Sequence, residues 1–131
     1  MKTFNIKIIL TSAVLFALLD KVWFNLKLSS RIYNQTVKMV QGTEIDSQGR
    51  IPYAVIAYLI MGLVYSHFIY PKLENDWQYS SLLFSLAIWG VFNLTNIVIF
   101  KKYTLEMLTI DILWGITVTQ IVGFIFLKLK K

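Results

Sequence analysis

Long apolar runs that lack a polar face constrain this chain more than any other feature. Four stretches, about 6–26, 53–70, 80–100 and 106–127, are almost entirely apolar, and the charged residues cluster between them. A surface helix of a soluble domain keeps one polar face, whereas about 20 apolar residues let a helix cross the hydrocarbon core of a bilayer. The pattern therefore predicts an integral, multi-pass membrane protein, without indicating which membrane.

The composition agrees with this class and argues against several others. The chain has 131 residues, of which 56% are hydrophobic and 15% charged, and no cysteine. With one histidine and no P-loop or dinucleotide fingerprint, we expect no metal and no cofactor. The net charge of +6 comes largely from lysines at the ends of apolar runs, where they anchor helices at the interface. We expect membrane lipid as a partner and no nucleic acid.

The connections predict an all-α fold, in which residues 1–131 form a single transmembrane domain. The segments "PKLENDW" and "KKYTLE" are short enough to force antiparallel neighbours, which gives an antiparallel four-transmembrane-helix bundle. Basic residues divide six against seven between the two sides, so the positive-inside rule does not orient the termini. Homo-oligomerisation stays open, because four short helices enclose little space.

The first connection is longer than the others and has a helical pattern of its own. Its apolar residues recur at helical spacing, with basic residues between them, as in a short amphipathic helix that lies in the interface. These apolar residues are Leu28, Ile32, Tyr33, Val37 and Val40. The segment "QGTEIDSQGR" after them is expected to be an exposed loop.

Two aspartates interrupt the apolar runs. Asp20 lies late in the first run and Asp111 early in the last, so antiparallel threading would bring both about 5–9 Å from the midplane, on the same side. Asn93 and Asn96 share one helix face and would reach the same layer. Because an acid facing lipid costs several kcal/mol, we expect these four side chains to face inward and to form an ion- or solute-binding site.

The residues around the acids are expected to line that site. Trp23 and Trp114 each follow an aspartate by three residues, and each is expected to cover its own aspartate from lipid. Thr95 and Gly115 adjoin the polar residues and are expected to line the site as well. Asp111, Gly115, Thr119 and Gly123 recur every four residues, which is a small-residue packing stripe.

Two functions fit such a layer. The acids could bind or conduct a small cation, a proton or a polar solute, because intramembrane acids are often functional. In the alternative, a non-catalytic membrane scaffold or assembly factor, the polar layer only locks the packing of the helices. A lipid-modifying enzyme is less favoured, since no nucleophile–base pair or metal set is present and no catalytic residue is predicted.

The order and spacing of several segments resemble a known family. The segments "LFALLDKVWFNL", "NQTVKMVQG", "GLVYSHFIYPKL", "WGVFNLTNIVIF" and "TIDILWGITVT" are similar to those of small four-helix membrane proteins called domain of unknown function 2177. The resemblance covers nearly the whole chain. It implies a four-helix membrane fold and leaves the activity open.

One departure from the family pattern lies in the polar layer. The pattern has a Tyr-Asp pair before Leu-Thr-Asn, whereas this chain has Phe92 and Asn93 at those positions. A third intramembrane acid is therefore a neutral amide here. If that acid only accepts hydrogen bonds in the family, Asn93 can largely replace it; if it carries chemistry, this chain differs.

Overall fold

Helices make up most of the part of the chain that the structure describes. The computed structural model describes residues 4–131, and this part contains five helices and no strand. They are α1 (Ile6–Asn25), α2 (Lys27–Gln41), α3 (Ile51–Phe68), α4 (Trp77–Ile99) and α5 (Leu105–Leu129). A short 3-10 turn, Tyr70–Lys72, follows α3. The predicted all-α class is confirmed.

Local sequence signals explain where the helices begin and end. The side chain of Thr104 accepts a hydrogen bond from the Met107 amide at 3.0 Å, which caps the start of α5. Pro52 occupies the first turn of α3, where its missing N–H is not needed. Gly42 ends α2 at φ 82°, a left-handed conformation that glycine adopts at low cost.

Three helical segments are long and apolar enough to cross a membrane. They are Ile51–Lys72, Trp77–Ile99 and Leu105–Leu129, and they correspond to the predicted spans 53–70, 80–100 and 106–127. The first predicted span, 6–26, forms the helix α1 but is not one of the three. The predicted amphipathic segment forms α2, although Leu28 on its apolar side is exposed.

The helices α1 and α3 pack closely at Gly62. A Cβ atom added to Gly62 would lie 2.4 Å from the backbone oxygen of Ile9, so a larger residue would push the two backbones apart. The hydroxyl of Ser12 donates to the Gly62 carbonyl at 3.3 Å. Aromatic packing follows one turn further along α1, where Phe16 meets Tyr65 of α3 edge to face at 5.7 Å.

The helices α4 and α5 pack through tryptophans placed on glycines. A Cβ added to Gly115 would lie 2.3 Å from the Trp89 ring, and one added to Gly123 would lie 2.4 Å from the Trp77 ring. Trp89 lies in a turn of π geometry, Leu86–Gly90, within α4, a wider turn that changes the phase of the helix. The whole predicted stripe from Asp111 to Gly123 is buried.

A groove separates α3 from α4, and we call it the seam. Every residue of α3 from Ile51 to Ala57 is exposed, which leaves the first half of this helix with little packing. Two cavities, of about 400 and about 300 Å³, follow each other along the groove. The acid-bearing helices α1 and α5 form the floor of the larger one, because Asp20 and Asp111 both line it.

Candidate functional site

Asp20 lies inside the protein with a donor on each carboxylate oxygen. Its residue exposure is 9%. The indole Nε1 of Trp114 donates to Oδ1 at 2.7 Å, and the hydroxyl of Tyr58 donates to Oδ2 at 2.8 Å. The carboxylate of α1 is therefore held by one side chain from α5 and one from α3.

Asp111 is buried in the same manner, with a residue exposure of 6%. The amide Nδ2 of Asn93 donates to Oδ2 at 2.6 Å, and the hydroxyl of Tyr33 donates to Oδ1. Asn93 also accepts a hydrogen bond from the hydroxyl of Tyr103 at Oδ1. The carboxylate of α5 is thus held by α4 and by α2.

The second helix takes part in the site through Tyr33. Burial, and after it the nearby Asp111 carboxylate, raises the pKa of Tyr33 well above its ordinary value. The hydroxyl therefore keeps its proton and remains a donor at any physiological pH. Apart from this bond, α2 meets α5 through a small apolar cluster of Ile32, Tyr33 and Met107.

Each tryptophan makes its hydrogen bond away from the aspartate of its own helix. The sequence analysis expects each tryptophan to cover the aspartate on its own helix from lipid and makes no prediction about hydrogen bonds. Trp114, from the helix of Asp111, donates to Asp20, while Trp23, from the helix of Asp20, donates at 3.3 Å to Tyr33, which serves Asp111. The two indoles stack at 4.7 Å with an interplanar angle of 1°.

Helix geometry gives the reason for this arrangement. A residue three positions after another lies about 60° around the helix from it, so each indole points sideways toward the neighbouring helix. The stacked rings lie between α1 and α5, from where Trp114 reaches Asp20 on α1 and Trp23 reaches Tyr33 on α2.

Among the residues that the structure describes, neither carboxylate has a basic partner. Within residues 4–131 the ion pairs are Arg31–Glu106, Lys38–Glu44 and Lys130–Glu74, all with at least one well-exposed partner. The donors to Asp20 and Asp111 are instead neutral hydroxyl, indole and amide groups. If both acids ionise, no positively charged side chain among residues 4–131 balances their charge. A balancing positive charge then has to come from outside this part of the chain.

Two cavities meet at Asp111. The seam cavity, of about 400 Å³, is lined by Asp20, Ala54, Ala57, Tyr58, Met61, Ile88, Trp89, Phe92 and Asp111. A second cavity, of about 380 Å³, lies under α2 and includes Tyr33, Asn96, Tyr103 and Met107 in its wall. Phe92 and Asp111 line both, so these two side chains stand between them. Both volumes are in the range of small-molecule sites.

The other predicted site residues, Asn96, Gly115 and Thr95, lie in three different environments. Asn96 lines the cavity under α2, and its amide makes no hydrogen bond to either carboxylate within residues 4–131. Gly115 lies one turn below Asp111 and receives the Trp89 ring. Thr95 is exposed and is not brought to the acids, because two residues after Asn93 a side chain lies about 200° around the helix.

Sequence reasoning missed the three tyrosines that complete the layer. The sequence analysis places Tyr33 on the apolar face of the amphipathic segment and does not single out Tyr58. Tyr103 lies in the connection before α5 and is not singled out either. A phenol is an apolar ring with a polar end, so the sequence pattern alone does not distinguish anchoring from hydrogen bonding to an acid.

A resident metal centre finds no support in the donor set. No group of three or more His, Asp or Glu side chains that could hold a metal ion occurs among the residues that the structure describes. The two acids are met by donors rather than by further ligand oxygens.

Comparison with known protein families gives one match. Residues 5–127 match the family described as "Predicted membrane protein (DUF2177)", the domain of unknown function 2177. The chain belongs to this family. The match confirms the resemblance stated above and, together with the three apolar helices, the prediction of an integral membrane protein.

Neither the curated proteins nor the solved structures gave a match to this chain. Membership of the DUF2177 family therefore indicates a membrane location and does not assign an activity.

Proposed function

We propose that the chain is a single transmembrane domain with four spans, in which α1 is the first span. α1 has 20 residues, which at about 1.5 Å per residue reach across a bilayer core. Its partners on α3 run in reverse order, since Ser12 contacts Gly62 while Asp20 contacts Tyr58. That order supports an antiparallel pair, with α2 lying at the interface on the side of the acids.

The function that we propose is binding or conducting a small cation, a proton or a polar solute at Asp20 and Asp111. One observation carries it. Two buried acids line the same cavity, and the groups of residues 4–131 that donate to them are all neutral. Burying a charge without a partner costs free energy. Protonation of the acids or binding of a cation would remove this cost by neutralising the layer.

The surrounding residues would position the acids rather than react. Asn93 and Tyr33 would orient Asp111, and Tyr58 and Trp114 would orient Asp20, each through one hydrogen bond. A carboxylate oxygen has room for a second hydrogen bond. The acids could therefore take up a proton or an ion without losing these donors. Asn96 would face the same solute from the cavity under α2.

Liposome flux tests this proposal. We expect purified protein to give a proton- or cation-dependent flux that Asp111→Asn and Asp20→Asn each lower at least tenfold, because the amide keeps the shape and loses the charge. The matched control is Glu106→Gln, which removes an acid from the exposed start of α5 and should leave the flux unchanged. A wild-type flux equal to that of the aspartate variants would contradict the proposal.

The second candidate is a scaffold in which the polar layer only fixes helix packing. One observation favours it: all four carboxylate oxygens already have donors within the protein, so the network can close on itself. In that case the asparagine variants lose thermal stability, and neither they nor the wild type moves any ion.

A further inference from the structure

The walls of the seam cavity do not suit a bare metal ion. Apart from the two acids, the lining residues with polar side-chain groups are Tyr58 and Trp89, and the other residues present aliphatic, thioether or aromatic surfaces. The indole N–H of Trp89 is a donor only, so the Tyr58 hydroxyl is the one further oxygen that this lining offers to a metal ion. Alkali and alkaline-earth ions bind in sites with about six or more oxygen ligands. Each carboxylate oxygen here already accepts one hydrogen bond, which leaves few oxygens to replace a hydration shell.

An organic ammonium ion suits the same walls. Its charge can be met by carboxylates, and its carbon substituents by aromatic faces, which attract cations through their quadrupoles. Trp89, Phe92 and Tyr58 provide such faces around the acids. The cavity thus combines a negative floor with an apolar enclosure.

The seam continues beyond this cavity as a second, mainly apolar cavity of about 300 Å³, whose wall also includes Lys72 and Ser80. The lining residues of α3 pass from Met61 in the first cavity to Val64 and Phe68 in the second, about one and two turns further on. On α4 they pass from Ile88 back to Ala87 and Leu83. The two cavities therefore form one elongated groove with the acids near one end.

The groove opens to the outside of the bundle. Ala54 and Ala57 in its wall are small and exposed, and the whole first half of α3 around them is exposed. In a bilayer that surface meets acyl chains, so a ligand with an apolar tail can reach the groove sideways from the lipid.

We propose that the seam binds an amphiphilic organic ammonium ion, with its head at Asp20 and Asp111 and its apolar tail along the groove between α3 and α4. The proposal rests on the proposed function, for which it names the ligand class. The charge complementarity of the acidic floor and the length of the apolar groove together select this occupant over a neutral lipid chain.

Saturation binding of labelled octyltrimethylammonium to the full chain in lipid nanodiscs tests the proposal. We expect saturable binding that octanol, octyl sulfate, sodium and potassium do not displace. Asp20→Asn and Asp111→Asn should each weaken binding at least tenfold, because they remove the negative floor. Ala57→Phe should do so by filling the groove, whereas Val55→Phe, on the same helix but outside the cavity lining, should not.

The tail is tested separately. Butyltrimethylammonium should bind more weakly than the octyl compound, since it leaves the second cavity empty. Ala87→Phe, which fills that cavity, should remove the advantage of the longer chain and leave the affinity of the butyl compound unchanged. A chain-length preference that survives Ala87→Phe would overturn the assignment of the tail.

The other outcomes separate this inference from the proposed function. Proton, sodium or potassium flux that depends on the aspartates, without ammonium binding, would overturn the inference and leave the proposed function standing. Equal displacement by octanol, or binding that both asparagine variants retain, would overturn the role of charge. No flux and no binding with any compound in the folded wild-type protein would overturn both.

Discussion

At the scale of single residues, the site depends on neutral donors that meet two acids. Each carboxylate oxygen of Asp20 and Asp111 accepts a hydrogen bond from a phenol, an indole or an amide. Such groups stabilise an ionised carboxylate without cancelling its charge. A lysine in the same place would form an ion pair with the acid, whereas these neutral donors leave the charge of an ionised carboxylate uncancelled, which the proposed cation binding requires.

The two tryptophans give a prediction at this scale. Trp114→Phe should lower the free energy of unfolding by about 1–3 kcal/mol more than Trp23→Phe, because only the first leaves a buried carboxylate oxygen without its donor. Both variants lose the same ring and the same stack, so each is the control for the other. Unfolding in a nonionic detergent, followed by circular dichroism, measures the difference. Equal losses would contradict the bond between Trp114 and Asp20.

At the scale of helices, small residues on α5 decide how closely α4 can pack against it. Gly115 and Gly123 lie four residues on either side of Thr119 and each accepts the face of a tryptophan from α4. The contact matters for the site because Trp89, held by Gly115, also lines the seam cavity. Packing of α4 on α5 therefore sets the position of Asn93 opposite Asp111.

Alanine substitutions test this packing. Gly115→Ala and Gly123→Ala should each cost about 1–3 kcal/mol of stability through overpacking, since the new Cβ would lie within 2.4 Å of an indole ring. Gly90→Ala is the matched control on α4, because its nearest neighbour, a Leu86 side chain, would lie 3.8 Å away.

The melting temperatures of the three variants in detergent provide the comparison. Gly90→Ala should be neutral or slightly stabilising, as alanine is the better helix former. Unchanged melting of Gly115→Ala would mean that the tryptophan does not lie on the glycine.

At the scale of the whole molecule, four spans would place both ends of the chain on one side of the membrane. The acids and the α2 helix would then lie toward the other side. With α1 outside the bilayer instead, the first residues and the 42–50 loop would share a side. The two arrangements differ in the position of the N-terminal end relative to that loop.

Cysteine labelling separates the two arrangements, and the chain has no cysteine to interfere. We expect a membrane-impermeant maleimide to reach Phe4→Cys and Asn75→Cys from one side of sealed vesicles and Thr43→Cys from the other. All three positions are exposed. Labelling of Phe4→Cys and Thr43→Cys from the same side would contradict the four-span proposal.

Much of the architecture follows from the sequence, because burying backbone polar groups in lipid leaves few choices. Apolar runs of about 20 residues must become helices there, and the observed bounds lie within about three residues of the predicted ones. The small-residue stripe of α5 was predictable for the same reason, since four-residue spacing puts side chains on one face. An intramembrane acid is costly enough to mark the polar layer as well.

The partners inside that layer were decided by the tertiary structure. Tyr58 and Tyr33 are 38 and 78 residues away from the acids to which they donate, and nothing local indicates that their hydroxyls turn inward. Nor does the local sequence indicate that Trp114 donates to Asp20 and Trp23 to Tyr33. The groove between α3 and α4 likewise could not be predicted from the sequence, because both helices are apolar on all sides. Such a helix face packs equally well against lipid and against protein. Apolar periodicity is a property of one segment, whereas hydrogen-bond pairing and cavities depend on how several segments meet.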